Sequence, residues 1–213
     1  MLAIQYCARH YYNFAEYLNY TSWAICIVTT IILSLPTVSS FLGEKKIIAA
    51  LIFNIIALVV DYLYKRFIKA GATFKMLFDY KLFGFTDKDR YNGLSLSEIK
   101  RTIANIINRY PKSYKKQVEN NGESKTKGVK DWYYNISSDL PIDKAIRKCQ
   151  DQNMFFDNNL IKKTLFLYVI LLVLVFVWFI IINANTPVFT IVINLCSIFA
   201  LIKKIVSEFY SIG

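Results

Sequence analysis

The sequence predicts an all-α membrane protein: four transmembrane helices paired as two hairpins, with a helical cytoplasmic domain inserted between them. Four stretches are nearly free of charge, the turns inside each pair are very short, and the segment between the pairs is strongly basic. Composition decides less than distribution. The 213 residues are 55% hydrophobic and 16% aromatic, only modestly above average globular usage.

The apolar stretches are residues 23–42, 47–64, 165–182 and 188–202, and Asp61 is the only charge in the first three. A helix needs about 20 apolar residues to cross the hydrocarbon core, with a range near 17–25. The first three stretches meet that length with 20, 18 and 18 residues. The fourth, at 15, is short, but Pro187 can open it and Lys203-Lys204 can close it. The first stretch starts too late, and is too long, for the apolar core of a cleaved signal peptide, so it is expected to remain in the mature chain.

Lysine and arginine near the span ends set the orientation. If 1–22, 65–164 and 203–213 share one side, that side carries twelve basic residues near the spans, against Lys45 and Lys46 on the other. The expected organisation is therefore a cytoplasmic segment (1–22), a first hairpin (23–64), a basic cytoplasmic domain (65–164), a second hairpin (165–202) and a cytoplasmic tail (203–213). Both termini then lie in the cytoplasm of a multi-pass inner-membrane protein. Much of the net charge of +11 falls in the central domain. It is explained by the positive-inside rule and attraction to anionic lipid, or by an anionic ligand.

Within the central domain, Phe67, Phe74, Leu77 and Phe78 share one helical face, so the second span is expected to continue as helix to Asp79. A turn-rich patch covers 84–93. Ser95 and Glu98 form a capping box that opens a helix with the stripe Ile99, Ile103, Ile106, Ile107, and Pro111 stops it. Residues 111–130 read as a flexible lysine-rich loop. Pro141 and Asp139 then open a helix running unbroken into the third span, to Ile182.

No catalytic motif is visible, and no enzyme activity or cofactor is expected. His10 is the only histidine and no C-x-x-C pair occurs, so a zinc site lacks ligands. Cys7, Cys26, Cys149 and Cys196 are expected to stay reduced.

Three spans carry polar seams. Ser22, Cys26, Thr30, Ser34, Thr37 and Ser40 follow one face of the first; Ala50, Asn54, Ala57 and Asp61 repeat in the second; Thr190, Asn194 and Ser197 repeat in the fourth. The third span has none between Val169 and Ile182, which suits contact with lipid. Small and hydroxyl residues allow close helix packing and Asn bonds across helices. Equally, polar residues inside membranes mark water and ion routes. Thr30, Ser34, Thr37, Asn54 and Asn194 are the pore-lining candidates on that reading, with Thr30 and Thr37 facing water in a ring of chains. Asp61, four residues before Lys65, is placed for a local pair.

The segment Asp131-Trp132-Tyr133, then Leu140-Pro141, Ala145 and Cys149-Gln150-x-x-Asn153-x-x-x-Asp157, resembles the SMODS-associated four-transmembrane pore-forming effector family of bacterial anti-phage systems. The N-terminal run from Ala8 through Tyr12 to Glu16, Phe78-Asp79 and the two-plus-two span layout are similar too. Phe156 departs from the tryptophan that the resemblance leads one to expect. The resemblance implies an effector that breaches the inner membrane and a partner synthase making a cyclic nucleotide, with no nucleic-acid polymer bound. The ligand-binding candidates are Arg147, Gln150, Asn153, Asp157, Asp131 and Trp132. Gln150, Asn153 and Asp157 share a helix stripe with Arg147 adjacent, which fits either capping between helices or recognition of a nucleotide, with basic groups meeting phosphate. The rival reading of the whole chain is a non-conducting tetraspan anchor whose basic domain docks a protein or anionic lipid.

Overall fold

Long apolar and aromatic runs without Pro produce long helices, and the chain is mostly helical. The computed structural model describes residues 1–34, 41–43, 45–85, 90–121, 128–130, 133, 136–137, 139–184, 187, 191, 194–195, 198–199 and 201–207. Its elements are α1 (Leu2–Ser34), α2 (Lys45–Leu82), β1 (Arg90–Tyr91), β2 (Leu94–Ser95), α3 (Leu96–Arg109), α4 (Pro111–Glu119) and α5 (Ile142–Asn183), and residues 201–207 are also helical. The continuous helices expected from the second span to Asp79 and from Ile142 into the third span are both present. Among the described residues, α2 is long and apolar enough to cross a membrane, and a shorter apolar helix covers Phe166–Ile181. The chain divides into two units: unit 1 is Met1–Glu16 with Tyr64–Met154, and unit 2 is Tyr17–Leu63 with Phe155–Gly213.

Unit 1 has an aromatic-rich core. Tyr6, Cys7, Phe74, Leu77, Tyr91 and Ile99 are buried in it. Burial pushes the Cys7 thiol up to about 12, so it stays protonated and inert. The Ser95–Glu98 capping box forms in full, with each side chain bonded to the other's backbone N–H. A two-residue hairpin precedes it: Asn92 and Gly93 both have positive φ (48° and 91°), the backbone that a tight Asn-Gly turn requires. The sequence reading took this patch only as turns, although Asn-Gly between short β-prone runs is a strong hairpin signal.

The loop expected over 111–130 is corrected at its start. Residues Pro111–Glu119 are α4, with Pro at the first turn. Proline's fixed φ suits that position. Tyr114 and Val118, one helical turn apart, pack on the unit 1 core while the lysines face solvent. Composition suggested disorder; the i, i+4 apolar pair decides for helix. Residues 122–127 lie outside the described residues. Gly128 then runs so close to α4 that a Cβ there would lie 1.7 Å from the Asn120 carbonyl oxygen. The Arg9 guanidinium donates to the Gly128 carbonyl and ties α1 to this segment.

In unit 2, residues from all four apolar stretches pack together: Cys26, Ala57 and Leu201 are buried, with Tyr168, Leu171 and Val175 against them. Trp23 stacks on Tyr168 at 5.4 Å. The outer faces of α2 and α5 expose large apolar side chains, among them Leu51, Ile55, Leu174 and Phe176, as lipid contact requires.

Candidate functional site

Unit 1 contains a cavity of about 380 Å³, within the roughly 300–1,000 Å³ typical of small-ligand sites. Four aromatic residues line it: Tyr12, Tyr80, Phe83 and Phe85. Local backbone chemistry places each one. At the end of α2, Gly84 adopts φ 69° while the N–H of Phe85 donates to the Tyr80 carbonyl and that of Phe83 to the Asp79 carbonyl. This is a glycine-dependent helix cap that folds the chain back on itself. It sets Phe85 edge-on to Tyr80 at 5.5 Å and to Phe83 at 5.9 Å. Tyr12 comes from α1 and lies over Gly71, where a Cβ would sit 3.0 Å from its ring. A mid-helix glycine costs about 1 kcal/mol relative to alanine. Here it makes room for an aromatic wall.

The polar lining is Lys75, Asp79 and Gln150. Lys75 and Asp79, one turn apart on α2, pair at 2.8 Å. Tyr133 completes the group: the Lys75 ammonium donates to its hydroxyl at 2.9 Å, and that hydroxyl donates to the same Asp79 Oδ1 at 3.3 Å. The ammonium also lies 5.0 Å from the Phe78 and Tyr133 ring centres, close enough for attraction to their π faces. Cys149 is buried nearby; burial raises its pKa, with Asp79 adding to the rise and Lys75 opposing it.

Of the ligand-binding candidates, Gln150 lines this cavity, and Arg147 is exposed one helical turn before it. Asp131, Trp132 and the side chains of Asn153 and Asp157 lie outside the described residues. Sequence reasoning named neither Lys75 nor Tyr80 as a site residue. Their signal is the aromatic cluster Tyr80, Phe83 and Phe85, at the junction of the expected helix and the turn-rich patch over 84–93.

Several polar residues of unit 2 are bonded to one another. The buried Lys46 ammonium donates to Asn194 Oδ1 at 2.6 Å, and the Asn194 amide donates to Asn183 Oδ1 at 2.7 Å. Lys46, expected in the turn before the second span, is thus inside unit 2. The Lys204 ammonium donates to Asp61 Oδ1 at 2.7 Å, with side-chain exposures of 3% and 14%. Local spacing pointed Asp61 toward Lys65 and could not show a partner 143 residues away. Thr30 is buried, its hydroxyl donating to the Cys26 carbonyl at 2.8 Å. Asn54 is half-buried and lines a cavity of only about 30 Å³ with Ser22, Cys26, Asp61 and Lys204. That is room for very few waters. Thr37 and the side chain of Ser34 lie outside the described residues.

The chain is mostly helical, has a helix long and apolar enough to cross a membrane, and holds an aromatic-lined cavity in unit 1. The chain belongs to the family of the SMODS-associating 4TM effector domain, which matches residues 1–202. It is therefore a membrane effector linked to SMODS cyclic-nucleotide systems, as its own motifs suggested. No curated protein and no solved structure is detectably similar to it.

Proposed function

We infer that the chain is a pore-forming effector of bacterial anti-phage defence, which permeabilises the inner membrane when a cyclic nucleotide occupies the unit 1 cavity. One observation carries this reading. The segments through which the sequence resembles the family supply Tyr12, Asp79 and Gln150 to a single cavity, with Tyr133 bonded to Asp79. Such convergence is what a ligand site needs and what helix capping alone does not. The chain spans the membrane several times with both termini in the cytoplasm, and it performs no chemistry of its own.

Conduction needs more than one packed chain. Lys46, Asn194 and Asn183 are bonded in series and Lys204 is paired with Asp61, and the unit 2 cavity of about 30 Å³ is no channel. The conducting form is a homo-oligomeric ring in which the helices of unit 2 part and turn Thr30, Ser34 and Thr37, or Asn54 and Asn194, toward water. Purified full-length protein in liposomes tests the reading. Ion flux should appear with a cyclic nucleotide, together with an oligomer on crosslinking. Absence of flux with every cyclic nucleotide tried, alongside retained binding to anionic vesicles or a protein partner, would return the non-conducting anchor instead.

A further inference from the structure

The cavity lined by Tyr12, Tyr80 and Phe85 is bordered by two polar residues with hydrogen-bonding capacity that no described residue takes up. Asp79 Oδ1 accepts from both Lys75 and Tyr133, which fills its two lone pairs. Asp79 Oδ2 accepts from no described residue, and the Gln150 amide has no hydrogen-bond partner among the described residues. The residues that carry this open acceptor oxygen and this amide, which both donates and accepts, line one aromatic space.

Charge narrows the ligand further. Lys75 is paired with Asp79 at 2.8 Å, so the cavity wall carries no surplus positive charge for a phosphate. The exposed cation one turn from Gln150 is Arg147. The aromatic walls suit a flat heterocycle, since every base has a π face to stack. The edge of that heterocycle meets a carboxylate oxygen that can only accept.

We propose that this cavity reads the nucleobase and requires an exocyclic amino group on it, donated to Asp79 Oδ2 while Gln150 completes the base edge. Adenine is the fullest match: one amino hydrogen goes to Asp79, the other to the Gln150 carbonyl, and the Gln150 amide N–H meets a ring nitrogen, the bidentate pairing amides make with adenine. A base with a carbonyl in place of the amine sets two acceptors against each other. Lys75 and Tyr133 are positioning residues, since both bind Oδ1 and hold Oδ2 toward the ligand. This specificity rests on the reading of the cavity as the nucleotide site.

The test separates the two claims. Binding of cyclic di-AMP, cyclic di-IMP, cyclic di-CMP and cyclic di-UMP to the full chain in detergent is measured by calorimetry. The amino-bearing members should bind, and the deaminated counterpart of each should bind roughly tenfold more weakly or worse, the scale of leaving a desolvated acceptor unpaired. In Asp79→Asn, which replaces Oδ2 by an amide donor, that gap should shrink to less than about threefold. In Tyr133→Phe it should narrow with the thermal midpoint held, a readout that keeps the claim exposed if Asp79→Asn fails to fold. Equal binding of cyclic di-AMP and cyclic di-IMP would overturn the amino requirement and leave a nucleotide site standing. No binding by any of the four, nor by cyclic di-GMP, would overturn the nucleotide reading itself.

Discussion

In unit 1, Asp79 and Gln150 border a cavity of about 380 Å³ and keep hydrogen-bonding capacity in reserve. In unit 2, Asp61 and Lys204 are bonded to each other beside about 30 Å³. Each unit pairs an aspartate with a lysine, Asp79 with Lys75 and Asp61 with Lys204, yet one pair borders open space and the other closes a packed interior. The difference comes from backbone chemistry. Unit 1 has a glycine cap at Gly84 and a glycine seat at Gly71 that stand aromatic rings apart, whereas small residues such as Ala50 and Ala57 let the helices of unit 2 close up.

The comparison breaks most visibly at the ion pair of unit 2. Lys204→Ala leaves the Asp61 carboxylate without its ammonium, and losing one partner of a buried pair costs about 3–5 kcal/mol. Solubilised full-length protein should show a large fall in thermal midpoint, and Asp61→Asn in the same chain should recover part of it. If Lys204→Ala is neutral, the interior of unit 2 is not held as described.

Tyr80→Ala probes the opposite case. Stacking on an aromatic is worth about 1–3 kcal/mol per base. Cyclic nucleotide affinity should fall by about fivefold to a hundredfold in calorimetry, with a smaller change in stability. Loss of stability without loss of affinity would make Tyr80 a core residue and nothing more.

Gly71→Ala sharpens the distinction between seat and core. Alanine favours helix by about 1 kcal/mol over glycine. At this position its methyl group would press on the Tyr12 ring at 3.0 Å. Nucleotide affinity should fall severalfold while the thermal midpoint moves little. An unchanged affinity would remove Tyr12 from the binding wall.

Acid should loosen unit 1 mildly. Burial, and then the charge of Arg109, lowers the His10 pKa below its ordinary 6.5. The unfolded chain then takes up the proton first as pH falls. Stability is complete above that ordinary value and is lost through the window beneath it. Protection factors of the α1 and α3 amides in the full chain, with the intrinsic pH dependence of exchange divided out, should fall on acidification across that window, and His10→Gln should flatten the response. Protection that rises in acid would reverse the sign and contradict the burial of His10.

Sequence patterning carried these helices well, because α5 owes its length to a run without Gly or Pro, α2 to an apolar stripe that continues past Gly71, and α3 to a capping box and an isoleucine stripe. It lost α4 because lysine content outweighed the spacing of Tyr114 and Val118. The site was half legible. Gln150 stood out through its motif, whereas Lys75, Tyr80 and Phe85 form a site only once Gly84 folds the end of α2 back. Long-range bonds such as Lys46 to Asn194 leave no periodic signature and could not be read from spacing.

If a cyclic nucleotide in the unit 1 cavity opens a path through the membrane part of the chain, as proposed, then filling that cavity with a side chain should keep the path shut. Ala72 also lines that cavity. Liposomes carrying wild-type protein, or an Ala72→Phe variant that fills the space with a ring of its own, are loaded with a fluorescent ion indicator and titrated with cyclic nucleotide. The account predicts leakage from wild type only when nucleotide is present, and a tight Ala72→Phe variant that neither binds it nor leaks. Equal leakage by wild type with and without nucleotide, or nucleotide-driven leakage by the filled variant, would contradict it.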